Sequence, residues 1–186
     1  MPREVRISVI YYSATGTVAD IAREIAETAE KNGAETRLRR VEGTVPAPDV
    51  PLATADDLLW ADGVLLGSPT RFGNVSGQLK TFLDTLGDAW RGGLLADKVY
   101  SAFTSTSSRH GGQESTLLAL TTSFHHFGGI VVAPGYTSPE KFADGNPYGT
   151  AHCTEGRTRP VDDTTRAAAR VQAERVVRFA RATRLA

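Results

Sequence analysis

Apolar and polar positions alternate between two periods along the chain. Residues 5–12 (VRISVIYY) form a β-branched and aromatic run too short for a helix, which predicts a buried strand. Residues 17–31 then place Ile21, Ala22, Ile25, Ala26 and Ala29 at helical spacing, and Asn32-Gly33 supplies the stop. A second strand over 35–41 alternates less cleanly. Pro46, Pro48 and Pro51 keep the chain irregular until Thr54, an N-cap for a short helix through Trp60. The pattern repeats with strands over 63–67 (GVLLG) and 98–104 (KVYSAFT), helices over 76–86 and 114–127, and a fifth strand over 130–133. A last amphipathic helix over 162–184 carries acids in its first turn and arginines in its last, the sense that the helix dipole favours. Such alternation predicts an α/β domain spanning 1–186, with a parallel sheet, helices on both faces and right-handed crossovers. Residues 134–160 offer no convincing element, although ordinary connections run to about 4–6 residues. The aromatics Tyr136, Phe142 and Tyr148 give that stretch the composition of a packed binding loop.

Composition narrows the classes. The 186 residues are 40% hydrophobic and 23% charged, as in a globular protein. Basic and acidic residues number 21 each, so no whole-chain field favours nucleic acid or an anionic membrane. The same balance disfavours a strongly acidic electron shuttle. Cys153 is alone, which excludes an intrachain disulfide and points to a reducing compartment. With no signal-peptide architecture and no apolar run of bilayer length, the expected location is the cytoplasm, without membrane insertion.

In an open α/β sheet the ligand crevice lies beyond the carboxyl ends of the strands, where the strand order reverses. The loops after strands one, three and four should meet there. The first, Ser13, Ala14, Thr15, Gly16, Thr17 and Val18, joins a strand to a helix, so backbone N–H groups and the helix dipole create an anion site. It lacks a Walker lysine and the GxGxxG spacing, which favours a single terminal phosphate; a plain helix N-cap is the competing reading. The second, Pro69, Thr70, Arg71, Phe72, Gly73 and Asn74, suits the edge of a flat heteroaromatic ring, or else is a simple turn. The third, Ser105, Thr106, Ser107, Ser108, Arg109, His110 and Gly111, again offers hydroxyls and amides before a helix, or else is a solvent loop. The three together point to a phosphorylated ligand in one polar crevice.

These pieces carry a resemblance. YYSATG, SPTRFGNVSGQLKTFLD, RHGGQES, FHHFGG and NPYGT fall in order along most of the chain, which resembles the tryptophan-repressor-binding-protein-like (WrbA-type) NAD(P)H:quinone oxidoreductases. The resemblance implies a flavodoxin-like fold with a five-stranded sheet in the order 2-1-3-4-5, FMN as cofactor, and NADH or NADPH and a quinone as substrates. It puts residues 13–18 on the FMN phosphate, 70–74 on the isoalloxazine edge, and 105–111 on the remaining ring edge and ribityl side. It assigns His125 a catalytic place at the flavin, and Trp90 and Tyr148 the substrate side. It also implies a homotetramer in which neighbouring subunits close the site. Val18 departs from flavodoxin phosphate loops, which usually carry a hydroxyl there.

The implied reaction passes a hydride from the nicotinamide to flavin N5, then two electrons to the quinone. Amides of the second loop polarise the ring, and those of the third stabilise charge at N1 and O2. His125 orients or protonates the quinone oxygen; without the resemblance it is a helix-terminal histidine. Trp90 is otherwise core filler beside Leu94 and Leu95. His110, His125, His126 and His152 lack a ligand spacing, so no metal site is expected. Two rivals stay open: a one-electron flavodoxin-type carrier, and an interaction protein that holds FMN structurally.

Overall fold

The computed structural model describes residues 3–45 and 47–184, so the expectation for Pro46 lies outside the described residues. Strand β1 (Val5–Tyr11) is apolar on both sides and therefore needs cover on both. It sits inside a parallel sheet between β2 (Ala34–Arg40) and β3 (Gly63–Pro69). β4 (Val99–Thr106) continues from β3, and β5 (Ile130–Val131) pairs with the start of β4. The order β2-β1-β3-β4-β5 is the expected one. Side chains of β1 divide by period two: Val5, Ile7, Val9 and Tyr11 enter one core, and Ile10 enters the other. The first core is closed by α1 (Thr17–Lys31) and the long terminal helix Asp163–Thr183. The second is closed by α2 (Ala55–Trp60), α3 (Gly77–Asp84), α4 (Gly87–Arg91) and α5 (Gln113–His126).

β2 alternates poorly because it is an edge strand whose arginines do the covering. The Arg37 guanidinium lies 4.1 Å from the Trp60 ring centroid, and Arg37 and Arg39 both pair with the buried Asp57 carboxylate.

The sheet has six strands among the described residues, not five, and the stretch 134–160 is not structureless. Helix α6 (Pro139–Asp144) and strand β6 (Thr150–Cys153) occupy it. β5 pairs only with Val99 and Tyr100, whereas β6 pairs in parallel with residues 103–106 further along β4. One edge position is thus shared by two short segments with a helical excursion between them. TAHC carries no apolar run, so only its pairing with β4 makes it a strand. Helix α6 did leave a trace, with Pro139 at its start and Gly145 at φ 77° as its C-cap. The side chain of Lys141 is fully buried, pairs with Asp144, and donates to the Gly149 carbonyl at 3.3 Å, which ties α6 to the entrance of β6. The terminal helix (Asp163–Thr183), α7, packs along both α1 and α6.

Candidate functional site

β1 and α1 meet at the first loop. Ser13 is buried, and its Oγ accepts the Gly16 N–H at 3.1 Å, which leaves the hydroxyl proton available to a ligand. Gly16 takes φ 97°, a conformation that favours glycine, and begins α1 without any side-chain cap. The first-turn amides of Thr17, Val18 and Ala19 have no intrahelical partner by the geometry of a helix start. The Val18 side chain is buried in the α1-side core, so only its amide serves the loop, which explains the missing hydroxyl.

The second loop is a tight turn. Arg71 and Asn74 exchange backbone hydrogen bonds of 2.8 and 3.0 Å across Phe72 and Gly73, which have φ 52° and 75°. Two positive-φ central residues are the mark of a type I′ turn. The Phe72 side chain is fully exposed. The turn is clamped to the third loop: Thr70 N–H donates to Ser105 O (2.8 Å), Thr70 Oγ1 to Gly111 O (2.9 Å) and Ser115 Oγ to Gly73 O (2.7 Å). A Cβ on Gly112 would lie 2.5 Å from the Gly73 Cα, so the approach of the two loops requires glycine.

These loops wall a cleft of about 140 Å³, lined by Ala14 and Thr15, by Pro69, Thr70 and Arg71, and by Ser105, Thr106 and Ser107. A fourth wall comes from Thr154 and Arg157, just after β6. Sequence reasoning did not find that wall, because its place depends on β6. Thr154 N–H donates to Thr106 O (2.9 Å) and Gly156 N–H to Ser107 O (2.8 Å), which carries the β4–β6 pairing over the third loop. Ser13, Gly16, Thr17, Val18, Phe72, Gly73, Asn74, Ser108, Arg109, His110 and Gly111 belong to the same loops but do not line the cleft.

His125 and Trp90 are elsewhere. His125 is exposed in the last turn of α5, about 18 Å along the helix from Gln113 at 1.5 Å per residue. Neighbouring Phe124 stacks on Tyr100 near the start of β4, the end away from the loops. Trp90 Nε1 donates to the His126 carbonyl at 2.7 Å and lines a small apolar hollow with Leu83 and Phe127. Tyr148 is half-exposed before β6, with its N–H bonded to Asn146 Oδ1 at 3.1 Å. One chain therefore unites the three loops and leaves His125, Trp90 and Tyr148 outside their cleft. His152 is buried between Thr165 Oγ1 (2.8 Å) and the Arg159 carbonyl (3.1 Å).

The donor set fits FMN. The buried Ser13 hydroxyl and the free first-turn amides suit a phosphate monoester, and the clamped second and third loops suit the polar edge of a planar ring. Among the described residues no Asp or Glu lines the cleft. Fold and site together define a mononucleotide-binding α/β protein with its crevice at the carboxyl edge of the sheet. The chain belongs to the NADPH-dependent FMN reductase family, whose model matches residues 5–144. Over 194 residues it is 39% identical to an NAD(P)H dehydrogenase (quinone) of Deinococcus radiodurans, covering 95% of this chain and 96% of that one. A protein of the same name from Rhodopseudomonas palustris strain BisB18 is 40% identical over 168 residues, 81% of this chain and 84% of the other. Among solved structures, a flavodoxin described as WrbA-like from Agrobacterium tumefaciens superposes with a TM-score of 0.74 at 25% identity, covering 96% and 99% of the two chains.

Proposed function

We infer that this protein is an FMN-dependent NAD(P)H:quinone oxidoreductase. The observation that carries this reading is a mononucleotide cleft at the switch point of the sheet, flanked by Arg71 and Arg157 and, among the described residues, free of lining carboxylates, in a chain of the FMN reductase family. The relatives named NAD(P)H dehydrogenase (quinone) support the substrate pair. Acidic walls would disfavour an electron-rich ring, so this cleft suits an enzyme better than a one-electron carrier.

Bound FMN supplies a hydride acceptor at N5 and a two-electron donor for the quinone. Ser13, the Ala14, Thr15, Thr17 and Val18 amides and the Thr17 hydroxyl would hold the phosphate, and the first turn of α1 would balance its charge. The turn and its clamp use the Thr70, Arg71 and Asn74 N–H groups, so the Phe72 and Gly73 N–H groups would be the second loop's donors to the oxidised ring, and amides of the third loop would stabilise the charge that reduction adds. The Gly112–Gly73 contact keeps both loops in place before any ligand arrives.

The assembly is a homotetramer working in the cytoplasm. The resemblance to the quinone oxidoreductases and the fully exposed Phe72 support the assembly, in which His125 and Trp90 would meet the cleft of another copy rather than their own. There His125 orients or protonates the quinone oxygen, and Trp90 and Tyr148 shape the substrate space.

Steady-state oxidation of NADH and NADPH by FMN-loaded protein against a small quinone panel tests the reading. Parallel initial-velocity lines are expected, because both substrates use one space in turn. The absence of FMN-dependent turnover with every quinone would sink it. A dithionite titration that accumulates one-electron-reduced flavin in quantity would favour the carrier.

A further inference from the structure

The segment after β6 carries a feature that the three-loop reading does not use. Glu155, Gly156 and Arg157 have φ of 46°, 71° and 73° in succession. Two of the three are not glycine, and each such residue in the left-handed region costs on the order of 1 kcal/mol. The chain holds this conformation by Gly156 N–H to Ser107 O (2.8 Å), Arg157 N–H to Thr154 Oγ1 (3.3 Å) and Arg159 N–H to Thr154 O (2.9 Å). The result brings Arg157 to the wall of the same cleft as Thr15, Arg71 and Ser107.

The charge balance around it is one-sided. The Glu155 carboxylate faces Arg109 at 3.7 Å and Arg159 at 3.6 Å. Asp162 is taken by Arg159. Among the described residues no carboxylate lies within ion-pair distance of the Arg157 guanidinium, and none lines the cleft. A guanidinium stays charged at every relevant pH. Arg157 also lies beyond the residues that the family model matches.

We propose that Arg157 is a redox-tuning residue of the flavin site, favouring the reduced ring over the oxidised one. This rests on the FMN reading above. Hydride transfer to flavin breaks a nicotinamide C–H bond, forms N5–H, and leaves the ring with one added negative charge over N1 and the C2 carbonyl until a proton arrives. An uncompensated cation at the cleft wall lowers the energy of that charged product and leaves the neutral oxidised ring nearly unaffected. The effect is a higher midpoint potential and a readier acceptance of hydride.

The test measures the two-electron midpoint potential of FMN-loaded protein by dye equilibration, beside FMN and riboflavin affinities from flavin fluorescence. R157Q is expected to weaken the preference for reduced flavin about tenfold, a fall of about 30 mV for a two-electron couple. R157E falls further, R157K keeps most of the wild-type potential, and K80Q, which removes a distant surface charge, changes nothing. Unchanged potentials in both R157Q and R157E would overturn the proposal. So would equal weakening of oxidised and reduced FMN with riboflavin unaffected, since that marks a phosphate contact. If the unmodified chain binds no FMN, the flavin reading falls with this one, which separates the two failures.

Discussion

At residue scale the cleft depends on places where a side chain would not fit. Gly112 has φ 95° and abuts Gly73, so Gly112→Ala must shift one loop away from the other. We expect a loss of about 1–3 kcal/mol in stability and at least tenfold weaker FMN binding, read by urea denaturation and by flavin fluorescence quenching. Retention of wild-type FMN affinity would show that the loop clamp does not shape the ring site. The glycines of RHGGQES are plain in the sequence, but the partner that makes Gly112 necessary is 39 positions away and was not. Arg157 was hidden for the same reason. Its wall exists only once β6 has paired with β4.

Two ion-paired groups show what joins the elements. Glu24 of α1 accepts from Arg170 at 2.7 Å and from Arg166 at 3.2 Å, both on α7. Burial pushes its carboxyl up, but the two arginine hydrogen bonds outweigh this and hold it below the ordinary glutamate value of 4.5. A depressed carboxylate contributes stability above its unfolded pKa and loses it as the pH falls through the lower folded value. Unfolding free energy should therefore decline below about pH 4.5, and Glu24→Gln should flatten that decline while costing about 1 kcal/mol at neutral pH. Chemical denaturation across a pH series checks both. Lys141 and Asp144 pose the opposite case. Burial lowers the Lys141 amine and raises the Asp144 carboxyl, each opposed by its partner. Lys141→Ala should cost about 3–5 kcal/mol by stranding a buried carboxylate, whereas K141M with D144L should be close to neutral. A single variant no worse than the double one would show that the pair is not buried in solution. Helix α1 was legible from its apolar spacing. Helix α6 was not read, although Ser138-Pro139 and Gly145 bracket it, because six residues give too little periodicity.

At the scale of the whole molecule, the position of His125 and Trp90 matters most. Both lie at the end of the sheet opposite the loops of their own chain, so a role at the flavin needs a neighbouring copy. Trp90→Ala and His125→Ala should leave FMN affinity near wild type while reducing quinone turnover at least tenfold. On the proposed homotetramer, dilution to the monomer, followed by light scattering, should abolish turnover in step with dissociation. Full activity in a monomer would remove both residues from the mechanism. Neither outcome bears on a membrane role, although no helix among the described residues is long and apolar enough to cross one.

The sequence by itself determined the sheet, its strand order through the resembled family, and the three loops, because those features rest on local periodicity and on short contiguous motifs. Backbone amides at a helix start need only the order of the residues around them. Tertiary structure decided the rest. It placed β6 beside β4, brought Arg157 to the cleft, and fixed Gly112 against Gly73, all through contacts between distant segments that leave no period. It also separated His125 from the loops, since a helix that starts at a cleft must carry its far end away from it.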